Sequence, residues 1–321
     1  MSKNLLGIDL GGTSVKFGIL TEYGEVLNKW SIDTRIEDNG KYIVPDIIES
    51  IKNTLASMDL KIEDFQGIGM GSPGTINREK GTVVGAYNLN WGELQEVKAA
   101  FEKELKVPFY IDNDANVAAL GEKWIGAGED RPDVVFITLG TGVGGGIIAE
   151  GKLIHGAIGA AGEIGHIIVE PETGFECTCR NYGCLETVAS ATGIVRLAKH
   201  LSKVYTEDSK LHSIIAEGTE ITAKDIFDFA KQGDKFAIVV IERVSYYLGL
   251  ASANIANILN PTDIVIGGGV SAAGHFLLKK VEKYFNKHAF PQVRKSTKIK
   301  LAILGNDAGI IGAAYIAKEE K

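Results

Sequence analysis

Asn4-Leu-Leu-Gly-Ile-Asp9-Leu-Gly11-Gly12-Thr13-Ser-Val-Lys16-Phe-Gly-Ile-Leu20 and Val134-Val-Phe-Ile-Thr-Leu139-Gly140-Thr141-Gly142-Val-Gly-Gly-Gly146-Ile-Ile-Ala-Glu150 share one build. Each reads as a buried strand that breaks on a glycine turn, carries a threonine and returns as a second strand. Helical stretches follow both units, which makes the chain α/β with its plan used twice. After the first unit, 25–32 reads as a third strand and 44–58 as a helix, because Ile47, Ile48, Ile51 and Leu55 recur on one face. A short strand follows at 66–70, and Leu94, Val97, Phe101 and Leu105 trace a helical stripe stopped by Pro108. Strand 109–111 runs into Asp112-Asn113-Asp114-Ala-Asn116, residues that start helices well, and the helix continues to 124.

After the second unit, 185–201 reads as helix, and 235–259 as a long apolar helix ended by Asn260-Pro261. Strand 263–266 feeds Gly267-Gly268-Gly269, then come a helix at about 273–287, a strand at 299–304 and a last helix at 307–318. The domain break is placed after Asp114, with the closing helix returning to the first domain. The expected domains are 1–114 plus 307–321, and 115–306, both α/β.

Composition narrows the function. The 321 residues are 45% hydrophobic and 23% charged, enough for two domains with sizeable cores. The formal charge is −7, and no basic run of five appears, which argues against nucleic acid and anionic membranes as partners. Met1-Ser-Lys-Asn4 leads straight into an apolar strand without a signal-peptide pattern, and no apolar run is expected to span a bilayer. The 39 glycines gather at particular turns. Three closely spaced cysteines favour a metal over a disulfide framework, and with it a reducing, cytoplasmic setting.

The chemistry-bearing residues fall in three groups. In the two glycine turns, the amides of Gly11, Gly12, Thr13, Gly140, Thr141 and Gly142 can face phosphate. Asp9 at the strand end suits Mg²⁺, and Lys16 adds positive charge nearby. Gly140, Gly142 and Gly145 satisfy G-x-G-x-x-G, but a strand is expected after them, where a dinucleotide fold needs a helix. Gly146 to Lys152 imitates a P-loop, yet Leu153 stands where Ser or Thr is required. In the polar elbow, Asp114 can accept a proton from a hydroxyl attacking phosphorus, and Asn113 can offer donor and acceptor to a polyol; helix capping is the plainer role for either. In the third group, His166, Cys177, Cys179 and Cys184 form a closed four-ligand set suited to structural Zn²⁺. Glu163 and Glu186 flank it, carboxylates that accept from sugar hydroxyls. His166 is open to a role on the zinc, on the sugar or on both.

With these motifs in order, the sequence resembles the ROK family (repressor, open reading frame, kinase), and within it the bacterial glucokinases. The resemblance spans nearly the whole chain. It rests on Asp9-x-Gly-Gly-Thr13, Gly71-Ser-Pro-Gly74, Asn113-Asp-Ala-Asn116, Gly140-Thr-Gly-Val-Gly-Gly-Gly146, Glu163-x-Gly-His166, the cysteine cluster and Gly267-Gly-Gly-Val-Ser271. It implies a two-domain actin-like ATPase fold with a duplicated ribonuclease-H-like core, ATP and Mg²⁺ in the cleft, and a homodimer. It implies Asp114 as base on a sugar 6-hydroxyl, with Asn88, Asn113, Glu163, His166 and Glu186 around the sugar. Gly267, Gly268 and Gly269 are then expected against the adenosine. Three positions depart from the family pattern: Arg180 for a usual Gly, Ser72 for a frequent Ala, and Ser14 for a frequent Lys. The substrate implied is D-glucose. N-acetylmannosamine, mannose, fructose, allose and a polyphosphate donor share the motifs. A sugar-responsive regulator is disfavoured, because the first strand begins at about residue 4 and leaves no room for a DNA-binding domain.

Overall fold

The computed structural model describes residues 3–319. Residues 1–2 and 320–321, the extreme ends of the expected first domain, lie outside that range. Two five-stranded sheets carry the architecture. The first has the order β3-β2-β1-β4-β7, from β1 (Asn4–Leu10), β2 (Ser14–Leu20), β3 (Val26–Asp33), β4 (Phe65–Ser72) and β7 (Phe109–Asn113). The second has the order β10-β9-β8-β11-β12, from β8 (Val134–Leu139), β9 (Val143–Ala149), β10 (Lys152–Leu153), β11 (Asp263–Gly267) and β12 (Lys298–Leu301). A small hairpin, β5 (Thr75–Asn77) with β6 (Thr82–Val84), stands apart.

The sheets repeat one plan. In each, an antiparallel meander supplies three strands, and two parallel strands are added on the other side through helical crossovers. The two glycine turns therefore occupy equivalent corners, between β1 and β2 and between β8 and β9. The central strands are buried on both faces, as their apolar runs require.

Each sheet has its own core. The helices Ile43–Ser57 and Val97–Leu105 cover the first, and Lys235–Leu259 is the spine of the second. The helix Asp114–Trp124 leaves β7 but packs chiefly on β8 and β9, whereas Ala308–Glu319 leaves β12 and packs on β1 and β4. The two helices also lie against each other, filling the space between the sheets with a third cluster.

Several sequence expectations are corrected. Leu94 is exposed and precedes the helix, which begins at Val97. The 185–201 helix is broken at Ser190, an extended residue whose Oγ accepts from Gly193 N at 2.9 Å and starts a new helix. The last strand stops at Leu301, because Glu122 Oε1 takes the Ile303 and Leu304 amides at 3.1 and 2.8 Å. Contrary to expectation, Lys235–Leu259 is long and apolar enough to cross a membrane, but 67% of its most apolar window is buried inside the protein. Asp234 caps its start and left-handed Asn260 its end. The helices Lys210–Ala216 and Ala223–Lys231 fall where the sequence pattern gave no assignment.

Candidate active site

β7 pairs with β4 so that Asn113 lies beside Ser72, and the helix starts at the next residue. Asn113 Oδ1 accepts from the amides of Ala115 and Asn116 at 2.9 and 3.4 Å. The side chain is thus a helix cap, its oxygen is occupied, and the amide N–H groups are what it has to give a ligand. The expectation of both donor and acceptor is corrected accordingly. Asp114 Oδ1 accepts from Ala115 N at 2.8 Å. The Asp114 carboxylate opens to solvent at the cleft floor, yet the surrounding walls desolvate it and raise its pKa above the ordinary range.

Asp114 is shared by two adjoining cavities. One, of about 340 Å³, is walled by Asn113, Glu163, His155, Arg78 and the 158–162 loop. The other, of about 360 Å³, is walled by Gly140, Gly142, Gly144 and Glu186. Gly140 in turn lines a third, of about 450 Å³ and mainly apolar, with Thr141, Ala223, Phe227 and Val270. A polar pocket, a carboxylate, a glycine turn and an apolar pocket therefore stand in sequence. A further cavity, about 610 Å³ between the 43–57 and 97–105 helices, holds none of the expected site residues and lies away from this chemistry.

Asp9 projects at the end of β1, in register with Lys16 on β2, and the two side chains approach to 3.7 Å. Burial raises the Asp9 pKa; Lys16 opposes the shift and Asp114 adds to it. The two carboxylates thus feel each other across the cleft, an arrangement that a cation or a positively charged group relieves. Gly11, Gly12 and Thr13 form the turn between β1 and β2, with Asn88 packed against Gly12. Asn88 is exposed there and does not line the polar pocket. Of Gly267, Gly268 and Gly269, Gly269 alone lines the apolar cavity. Gly267 packs against Phe136, and Gly268, at φ +80°, lies against the Leu139 backbone. A side chain at Gly268 would collide with that backbone.

His166, Cys177, Cys179 and Cys184 place four ligand atoms within 4.8 Å of one another. Cys177 Sγ is 3.6 Å from His166 Nδ1, and Cys179 Sγ is 3.6 Å from Cys184 Sγ. Zinc bonds of about 2.0–2.3 Å give tetrahedral edges of about 3.5–3.8 Å, so the two closest pairs already match, and the longest separation would close by about 1 Å around the ion. Burial and the neighbouring sulfurs push the Cys184 thiol up to about 12, a crowding that a bound cation reverses. Nδ1 of His166 faces the sulfurs and Nε2 lies 3.8 Å from Glu163 Oε2, so the two ring nitrogens address different neighbours. Hydrogen bonds from Val169 N to Gly183 O and from Leu185 N to Ile167 O stitch the cysteine loop to the segment after His166. Glu186 spans from this loop to the glycine turn: Oε2 accepts from Val143 N at 3.0 Å and Oε1 from Thr178 Oγ1 at 3.3 Å. Both oxygens are engaged within the protein, a strut that the sugar-acceptor reading of Glu186 did not foresee. Arg180, in place of a usual Gly, adopts the left-handed region at φ +69°.

Sequence reasoning missed the apolar wall from Thr222 to Lys231. The capping box of Thr222 and Asp225 marks that helix, but nothing local says which cavity it faces. It also missed Arg78 and His155, which meet the buried Asp112 beside the elbow.

Residues 5–320 match the ROK family. A glucokinase from Halalkalibacterium halodurans is 45% identical over 98% of this chain and 95% of its own length. A glucokinase from Thermotoga maritima is 39% identical over 98% of this chain and 97% of its own. A ROK family glucokinase from Streptomyces griseus, solved with glucose and AMPPNP, superposes with a TM-score of 0.76 at 32% identity, over 98% of this chain and 99% of that one. The two repeated sheets are the actin-like ATPase fold of these sugar kinases. Family match, full-length relatives and architecture agree, and the chain belongs to the ROK family.

Proposed function

We propose that the protein is a glucokinase, transferring the γ-phosphoryl group of ATP to the 6-hydroxyl of D-glucose and so feeding glycolysis with glucose 6-phosphate. The observation that carries this reading is the position of Asp114, between a polar pocket and a glycine turn that leads to an apolar, nucleoside-sized cavity. Full-length similarity to glucokinases supports the sugar.

Asp114 takes the proton from the 6-hydroxyl as that oxygen attacks the γ-phosphorus; the bond to the ADP oxygen breaks and ADP departs. The raised pKa makes Asp114 a stronger base than an exposed aspartate. Asn113, Glu163 and Nε2 of His166 hold the sugar, with Glu186 and Asn88 at the edge of the cleft. The amides of the two glycine turns offset phosphate charge. Magnesium, when bound, screens the phosphates, and Asp9 is the residue that would hold it. His166, Cys177, Cys179 and Cys184 would hold a structural zinc, which would fix the His166 ring for the sugar. The unpaired cysteines support a reducing, cytoplasmic setting. We place the domain division at 1–114 plus 307–321 against 115–306, with closure excluding water from the transfer. Family membership supports a homodimer, which light scattering tests.

The test is coupled ADP release over a sugar panel containing glucose, N-acetylmannosamine, mannose, fructose and allose, with ATP and polyphosphate as donors. Glucose with ATP is expected to dominate kcat/KM, and a dominant N-acetylmannosamine overturns the assignment. Asp114→Ala should still bind glucose while losing about 10²–10⁴-fold in kcat. Metal analysis should find about one zinc per chain.

A further inference from the structure

We propose that Arg78 and His155 are positioning residues that act through Asp112, tying the sugar-pocket loop of the second half to the Asn113–Asp114 elbow of the first. The inference rests on the sugar-kinase reading above and adds residues which that reading does not use.

Asp112, the penultimate residue of β7, has only 2% of its surface exposed. A carboxylate so buried is tolerated only with a full set of donors. Here each oxygen has two partners. Oδ1 accepts from Asn113 N at 2.7 Å and Asn116 Nδ2 at 2.8 Å, partners that belong to the elbow itself. Oδ2 accepts from His155 Nε2 at 2.7 Å and is ion-paired with Arg78, whose Nε lies 3.1 Å away. Arg78 comes from the connection between β5 and β6, and His155 from the segment just after β10; both line the polar pocket.

The third side of the triangle fixes the proton. Arg78 Nη1 lies 3.2 Å from His155 Nδ1. Arginine only donates, so Nδ1 accepts and Nε2 carries the hydrogen that goes to Asp112. His155 is held in one tautomer by this arrangement. The Ala161 amide bonds back to the His155 carbonyl at 3.0 Å, so fixing His155 fixes both ends of the loop that walls the pocket and leads to Glu163. One buried carboxylate thereby sets the distance between the base-bearing elbow and the opposite sugar contact.

The experiment compares His155→Ala and His155→Gln with the parent in the full-length, metal-loaded protein. Glutamine presents an N–H toward Asp112 and a carbonyl toward Arg78. Hydrogen exchange of 156–163 without sugar reads the tie directly, and initial rates give KM for glucose and ATP separately. In His155→Ala, exchange across the loop and the glucose KM should each rise about tenfold or more, the scale of one lost charge-assisted hydrogen bond. The ATP KM should stay within about twofold, and His155→Gln should recover most of both losses. Unchanged exchange and glucose KM in His155→Ala overturn the proposal. So does equal damage from Gln and Ala, which assigns the effect to volume, or an equal rise in both KM values, which assigns it to general loosening. If His155→Ala does not fold, Arg78→Lys, which keeps the charge but loses the fork serving two acceptors, carries the same expectations. A parent inactive on every sugar refutes the kinase reading, while the exchange measurement still decides whether the tie exists.

Discussion

Asp9 and Asp114 are both raised, chiefly by desolvation, and Asp9 further by Asp114. A carboxylate with a raised folded pKa contributes its stability in full below the unfolded value and loses it as pH rises through the folded one. Ionising either one therefore costs the ligand-free fold. Asp114→Asn keeps the oxygen that accepts from Ala115 and removes the charge. It should melt above the parent at pH 7, with the advantage fading as pH falls below the ordinary aspartate range. A variant less stable than the parent at pH 7 contradicts the sign. The same shift places the acid limb of kcat/KM above the ordinary aspartate range, because the base must be ionised. Arg180 is the other residue with a local account. At φ +69° it occupies backbone space natural to glycine, which explains the usual glycine at this position in the family. Arg180→Gly should stabilise the cysteine loop by about 0.5–1 kcal/mol, seen as slower metal loss to a chelator.

At the level of elements, the two glycine turns are alike in sequence and equivalent in the sheets, but their surroundings differ. Gly12 faces Asn88, Gly142 faces the Glu186 carboxylate, and Gly140 has open space where a Cβ would go. Gly140 also lines both the cavity beside Asp114 and the apolar one. Gly140→Ala should therefore leave the melting temperature unchanged and the glucose KM nearly so, while the ATP KM rises about tenfold because the methyl meets phosphate. An unaltered ATP KM removes the phosphate from this turn. The cysteine loop is a different kind of element. It has little regular structure of its own, and its shape comes from three sulfurs, one imidazole and a few backbone bonds to 167–169.

At the level of the whole molecule, the exchange of helices joins the halves. Asp114–Trp124 leaves the first sheet for the second, and Ala308–Glu319 makes the reverse journey. The pair packs at backbone distance: a Cβ on Gly312 would overlap the Val117 carbonyl, and one on Gly121 the Ala308 carbonyl. Overlap with backbone cannot be relieved by a rotamer. Gly312→Ala should therefore cost about 3 kcal/mol or more in denaturant unfolding, against a distribution centred near 1 kcal/mol for point changes. A loss under about 1 kcal/mol would show that the two helices slide apart easily. Since Asp114 begins one of them and Asp9 lies against Gly309 of the other, movement of this pair moves both carboxylates.

Periodicity and turn chemistry in the sequence determined most of the strands, the long helices, the two glycine turns, the elbow and the four-ligand cluster. These are short-range features, set by residues a few positions apart. Only the tertiary structure decided what faces what. It gave the Asn113 oxygen and both Glu186 oxygens to the protein's own amides and hydroxyls. It kept Gly267 and Gly268 for close packing, and brought Ala223–Lys231 to the apolar cavity. It also joined Arg78, Asp112 and His155, residues from a hairpin turn, a strand and a loop whose meeting no local pattern encodes. The physical reason is burial: once packing closes around a polar atom, that atom must find a partner, and the partner comes from wherever the fold has placed one.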